Sequence, residues 1–359
     1  MRIFRENYTT MKNINSLGLF DDHFLMEKLT KLGDPLQKLN KYIDWNIFEK
    51  PINDAFRLDG KNLTKGGRPP FSKLLLFKAL LIQSLYNLSD DQLEFQINDR
   101  ASFKRFLGLK KSDKVPDSKT FWSFGEQLIE NDTIIDLFKH FNEALDAQGV
   151  FANEGKMIDA SFVEAPRQRN TREENKQIKE TGEAPENWLN KPHKLCQKDV
   201  DARWTKKNNT NYYGYKNHIK ADTKTKLIEE YIVTDASVHD SQPVEQLLTE
   251  KDKDQPLYAD SAYTGEEQEK IYNKKEVINK VHEKGYRNKP LTESQIASNK
   301  EKSSVRVRVE HIFGFVENSM HGSIVRTIGI ARAKAKIGMM NLTYNICRTT
   351  QLKIAVTMG

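Results

Sequence analysis

The sequence predicts an α/β domain, a mixed sheet with flanking helices, preceded by an all-α N-terminal domain. Residues up to about 148 repeat apolar side chains at helical spacing between strong breaks. From Gly149 onward the apolar runs are short and strand-like. Three such runs are followed by alternating helix and strand, the pattern of an α/β domain. Domains of 1–148 and 149–359 are therefore expected.

In chain order, Gly66-Gly67-Arg68-Pro69-Pro70 is a break, and Ser72 can cap a helix over 72–87 with Leu74, Leu75, Phe77, Leu81 and Ile82 near one face. Ser89-Asp90-Asp91-Gln92 has the form of a capping box opening a helix toward Asn98. A short helix over 102–107 ends near Gly108, and 110–116 reads as a polar linker. Asp117-Ser118 starts a helix over 117–128, and another follows over 132–147. Strands are expected at 156–163, 212–221 and 227–234, the last two joined by a turn at Asp222-Thr223-Lys224. Then come a helix at 240–250, a strand at 256–260, a helix at 265–275, a strand at 277–281, and closing helices at 303–319 and 331–349. A polar insertion at about 164–204 separates the first two strands; a loop of that length is usually functional or disordered. Its Arg167, Arg169 and Arg172 could order on a polyanion.

The chain has 359 residues, 30% charged and 37% hydrophobic, which suits a globular protein with a substantial core. The best apolar run, 74–82, is short and broken by Lys78, so no bilayer span is expected. The first six residues carry no apolar segment after their basic residues, so no secretory signal is expected. Cys196 and Cys347 are too few for a disulfide framework, and His193 with Cys196 lacks a second pair for zinc. A reducing cytoplasm is the expected compartment. Of the net charge of +7, residues 300–359 hold an equal excess, ten Lys/Arg against three Asp/Glu. Such a stretch either attracts polyphosphate or is simply solvated, and charge leaves both open.

Asp159 and Asp260 need a reason. Each ends or interrupts an apolar strand, beside Ile158 and Ala160 in one case and Ala259 and Ala262 in the other. Burying a carboxylate there costs several kcal/mol without a compensating cation. A shared hard metal ion would supply one, since Mg²⁺ prefers oxygen ligands. Two unrelated strand-end aspartates, paired to arginine or capping helices, fit the spacing as well. Glu310 lies four residues after Arg306, on the same helical face, where the two could hold a metal and a phosphate or form an ordinary surface pair.

The run around Asp159, Asp201-Ala202-Arg203-Trp204-Thr205-Lys206-Lys207, Tyr213-Gly214-Tyr215-Lys216-Asn217-His218, Val238-His239-Asp240-Ser241, Ala259-Asp260-Ser261-Ala262-Tyr263 and Val309-Glu310-His311-Ile312-Phe313-Gly314 stand in this order along the chain. Together they resemble the DDE transposases of bacterial insertion sequences, more narrowly insertion-sequence family five, related to family four. Gly66 to Pro70, Tyr86 to Asp90 and Val115 to Thr120 resemble the helical domain that precedes the catalytic core there. The resemblance implies an RNase H-like catalytic fold with Asp159, Asp260 and Glu310 as catalytic and metal-binding triad. Arg306 matches an arginine four residues before the family glutamate. The tyrosine position three residues before it holds Ser303, and a lysine sometimes found seven residues after the glutamate is Glu317.

The same resemblance implies two Mg²⁺ ions, with Mn²⁺ as a substitute, Asp159 bridging them. Water would nick the element end, and the freed 3′-OH would attack target DNA. The implied partner is double-stranded DNA, as terminal inverted repeats and as target, held by a homodimer on DNA, with no membrane role. Candidate DNA contacts are Arg68, Ser118, Lys119, Arg203, Lys206, Lys207, Lys216, His218, Arg306 and Arg308. For His218 a satisfied structural histidine is the competing reading. The helix over 117–128 could enter a major groove, or the N-terminal helices could serve dimerisation. A stand-alone nuclease of the same fold and a domesticated, non-catalytic DNA-binding protein are the rival functions.

Overall fold

A computed structural model describes residues 21–56, 70–166, 171–207 and 209–358. The break before Pro70, including Arg68, lies outside them, as do Arg167 and Arg169. Eight α-helices among the described residues precede the sheet: Asp21–Lys31, Pro35–Tyr42, Glu49–Phe56, Lys73–Tyr86, Asp90–Asp99, Ala101–Leu107, Ser118–Glu130 and Thr133–Ala147. The caps act where the sequence placed them. Ser72 Oγ accepts from the Leu75 N–H at 3.4 Å, Ser89 and Gln92 close a reciprocal capping box, and Asp117 Oδ1 accepts from Thr120 N at 2.7 Å. Each satisfies an otherwise orphaned helix-end donor, worth about 1 kcal/mol.

Six strands follow: β1 (Lys156–Glu164), β2 (Arg203–Lys207), β3 (Thr210–Asp222), β4 (Ile228–Asp235), β5 (Pro256–Tyr258) and β6 (Ile278–Asn279). β3 pairs antiparallel with both β1 and β4, while β5 runs parallel to β1 and β6 parallel to β5. The order β4-β3-β1-β5-β6 makes the mixed sheet that the sequence predicts. β2 pairs with residues 210–214 of β3, along the edge that β4 takes from Tyr215 onward.

Gly214 is the crossing point, opposite Glu164 on one side and Arg203 on the other. Its φ is +148°, and a Cβ there would lie 2.3 Å from Val163 O and 2.6 Å from Ala165 N. The first belongs to β1 and the second to the residue just after it; both are backbone and cannot step aside as a side chain could. Gly214→Ala is expected to lower the unfolding free energy in a urea titration by about 1–3 kcal/mol or more.

The two sheet faces bury different cores. Ile158, Leu257 and Ala259 pack with Val244, Leu247, Tyr263 and Tyr272. Met157 and Ile219 pack on the other face, in a core that continues through Val309, Ile312 and the final helix into the N-terminal helices. That helix, Ile330–Met358, is fastened to the sheet by amides. Asn341 and Asn217 exchange hydrogen bonds at 2.8 and 3.1 Å, and Asn345 both donates to Ile228 O at 2.7 Å and accepts from its N–H at 2.9 Å. Asp199 and Asp201 receive Gly329 N and Ile330 N at its start. Among the described residues no helix is long and apolar enough to cross a membrane.

Several elements differ from expectation. The insertion carries the helices Arg172–Thr181, Glu186–Leu189 and Pro192–Leu195, and its end is strand β2. The helix expected at 240–250 is one turn, Val244–Leu247, and a 3-10 turn, Glu250–Asp252, because Leu248 turns extended. Helix begins at Glu293, ten residues before the expected start, behind a Thr292–Gln295 capping box. Part of the C-terminal basic stretch is tied back onto the chain: Arg332 pairs with Glu126, Lys336 donates to Gln83, Arg348 to Thr225 O and Lys353 to Tyr42 O.

Candidate active site

The last registered pair of β1 and β5 is Met157 with Tyr258. Two residues further on stand Asp159, still within β1, and Asp260, just past the end of β5, near enough that the Asp260 charge raises the Asp159 pKa. Asp159 Oδ1 accepts from the Ala160 N–H at 2.8 Å. Asp260 lies just beyond β5 and caps the turn Ser261–Tyr263, its Oδ1 accepting from Ala262 N at 2.8 Å.

Glu310 approaches on a continuous helical run. The α-helix Glu293–Arg306 passes into a 3-10 turn, Val307–Val309, then α-helix Glu310–Gly314, then a π-turn, Phe315–Ser319. Arg306 Nη1 donates to Asp159 Oδ2 at 3.0 Å, and its Nη2 lies 3.6 Å from Glu310 Oε1. One guanidinium thus stands between two of the three carboxylates. Among the described residues no group of three His, Cys, Asp or Glu is arranged to hold a metal as it stands; Glu310 lies beyond the guanidinium, largely exposed.

Burial pushes the Asp159 carboxyl up to about 6; the Ala160 N–H and Arg306 oppose this, while the Asp260 charge adds to it. The donor chemistry fits a hard divalent cation: three carboxylates, one of them half-buried and incompletely neutralised.

The run that carries Arg306 is clamped to the segment after β6. Asn299 accepts from Glu283 N and donates to Glu283 O, both at 2.9 Å. Lys302 Nζ donates to Val281 O at 3.1 Å, and Ser303 Oγ is hydrogen-bonded to His282 Nε2 at 3.2 Å. His282 N in turn donates to Ala259 O, next to Asp260. Burial, then Arg306 and Lys302, lower the His282 pKa against the pull of Asp260. Sequence reasoning missed His282, since no short-range signal links it to residues 20 to 25 positions away. Glu317 is a fourth carboxylate nearby, accepting from Ser161 Oγ at 3.0 Å.

The expected DNA contacts fall into two groups. Lys119, Lys206, Lys207 and Arg308 are exposed and Ser118 half-buried. Lys207 reaches the field of Asp159, whose pKa it lowers, and lies 3.6 Å from Asp240. Arg308 Nη1 also donates to Thr223 O at 3.0 Å, and the Arg203 guanidinium turns back onto Val200 O and Ala202 O. Lys216 and His218 require correction. Asp159 registers with Ile219, so the even-numbered β3 side chains face away from it into the structure. Lys216 Nζ is buried on Asp240 Oδ1 at 2.7 Å and Val238 O at 2.6 Å. His218 is fully buried, bonded to Thr234 Oγ1 at 2.9 Å, and burial lowers its pKa to about 4. Both hold the β3–β4 side of the sheet rather than meeting a ligand.

A family model described as the transposase DDE domain matches residues 153–346. A second, described as transposase domain (DUF772), matches residues 23–127. Among solved structures, the chain is similar to the piggyBac transposase in a synaptic complex with hairpin DNA, at 12% identity and a TM-score of 0.45, covering 90% of this chain and 76% of that one. That likeness is too slight to bear on chemistry.

Proposed function

The chain belongs to the transposase DDE domain family and is a transposase, and from that premise we propose that Asp159, Asp260 and Glu310 are its catalytic carboxylates, acting on double-stranded DNA. The observation that carries this reading is the shared guanidinium: Arg306 lies 3.0 Å from Asp159 and 3.6 Å from Glu310, at the strand edge where Asp260 emerges. Residues 147 positions apart in sequence converge there on positive charge.

Enzymes of this family generally use divalent metal ions; here we assign two, magnesium with manganese as substitute, held by the three carboxylates. When bound, such ions activate the nucleophile and stabilise the leaving oxygen of a phosphodiester. The chain's own residues supply position. Backbone N–H groups of Ala160 and Ala262 orient Asp159 and Asp260, and placement on a strand and a tight turn keeps those carboxylates preorganised. Arg306, Lys206, Lys207 and Arg308 supply positive charge for the backbone phosphates.

We further assign residues 1–148 to reading the terminal inverted repeats, through helix Ser118–Glu130 with exposed Lys119, and 149–359 to catalysis. A homodimer on DNA would join two ends, nucleoid-associated in a bacterial cytoplasm. The motifs around Asp260 and Glu310 support placement in insertion-sequence family five.

The test is a strand-transfer assay with pre-nicked element ends, Mg²⁺ or Mn²⁺, and a target duplex. Joined products are expected. Hydrolysis alone would make the chain a nuclease, and binding without either would make it a non-catalytic DNA-binding protein.

A further inference from the structure

We propose that Arg306 is an internal cation standing in for the metal in the free chain, and that it must be exchanged for metal before the site can act. This rests on the reading of the site above. A guanidinium cannot be deprotonated in a protein, so it leaves two carboxylates only by moving. While it bridges Asp159 and Glu310, a divalent ion and Arg306 compete for the same oxygens.

Two features equip Arg306 for exchange. Its Nε is buried without a hydrogen-bond partner among the described residues, and a buried unsatisfied donor is costly. A phosphate oxygen, accepting from Nε and a terminal nitrogen together, satisfies a guanidinium better than this arrangement does. The backbone also changes geometry between the two partners: α-helix ends at Arg306, three residues of 3-10 helix follow, and α-helix resumes at Glu310. Such mid-helix 3-10 turns often mark hinges. Before Arg306 the helix is pinned by Asn299, Lys302 and Ser303 to residues 281–283, so the freedom lies in the Arg306 side chain and the turn after it.

The consequence is linkage. DNA phosphate that draws Arg306 away frees the carboxylates for metal, and metal that displaces Arg306 presents it to phosphate, each strengthening the other by the same factor. The free chain therefore loads metal poorly, and the DNA complex loads it well.

Mn²⁺ binding to the full chain, followed by electron paramagnetic resonance, measures this directly. Arg306→Gln is expected to tighten Mn²⁺ binding without DNA by about tenfold, within the usual range of such couplings. A short duplex should tighten Mn²⁺ binding to the wild type and leave Arg306→Gln unchanged. Arg306→Lys, which keeps charge but loses the two-pronged grip, should fall between and replaces the glutamine variant should that fail to fold. Asp159→Asn separates the two levels of the claim. If it weakens Mn²⁺ binding while Arg306→Gln does not tighten it, the site is right and the exchange is wrong. If Asp159→Asn leaves Mn²⁺ binding untouched, the carboxylate site itself fails and the exchange with it.

Discussion

Asp159→Asn is expected to abolish DNA cleavage and, in the metal-free chain, to raise stability. The first effect follows from removing a charged ligand at the proposed phosphodiester site, where metal supplies several kcal/mol of transition-state stabilisation; the loss should be roughly a thousandfold or more, with DNA binding retained. Asp260→Asn and Glu310→Gln should act alike. The second effect follows from burial. Burial holds the Asp159 carboxyl at about 6 against an ordinary value of 3.8, so the folded chain holds that proton more tightly than the unfolded one. A raised carboxyl pKa means that stability falls as pH climbs through the window between those values. At neutral pH the group thus costs up to about 3 kcal/mol, at about 1.4 kcal/mol per unit. Asparagine removes the desolvated charge. Urea unfolding at pH 7 should show Asp159→Asn more stable by about 1–3 kcal/mol, with the gap closing toward pH 4. A variant that cuts DNA at the wild-type rate would remove Asp159 from the mechanism.

Lys220→Met is expected to be the most destabilising of the exchanges outside the site. Lys220 Nζ lies 2.6 Å from Asp252 Oδ2 and 3.6 Å from Glu229 Oε2, with the lysine and Asp252 side chains almost completely buried. Lys156 contacts Glu229 on its other oxygen. Removing Lys220 leaves Asp252 without a cation in the interior, and breaking a buried pair in this way typically costs about 3–5 kcal/mol. Adding Asp252→Leu should recover much of the loss, since buried pairs can often be replaced by apolar side chains. The recovery will be partial, because Asp252 also accepts from Thr249 N at 2.7 Å. A urea midpoint for Lys220→Met equal to that of the wild type would show that the pair is not what ties β3 to the turn at Glu250–Asp252.

What could be read from the sequence was local. Ser72, Ser89 with Gln92, and Asp117 act within three residues of themselves, and all three cap the helices they announce. The strands read well where one face is buried; the predicted and observed bounds of β1 and β4 agree to within about a residue. Helix Glu293–Arg306 starts before the sequence predicts it because none of its residues is buried, so no apolar period exists to find; its capping box is the available signal. β2 was hidden because Arg203, Lys206 and Lys207 obscure its alternation and its partner lies across a turn. At the site, Asp159 and Asp260 announced themselves as acids in apolar runs. That Lys216 and His218 face the wrong way is a matter of register, decided by the pairing of Asp159 with Ile219, which no residue count along one strand reveals.

Three carboxylates far apart in the chain are proposed to hold metal at one place. Replacing Mg²⁺ by Fe²⁺ and generating hydroxyl radicals cuts the polypeptide where the ion sits. Cuts are expected at three stretches, around residues 159, 260 and 310, and all three should vanish together in Asp159→Asn. Cuts confined to other regions, or a pattern indifferent to Asp159, would mean that these side chains bind no common metal.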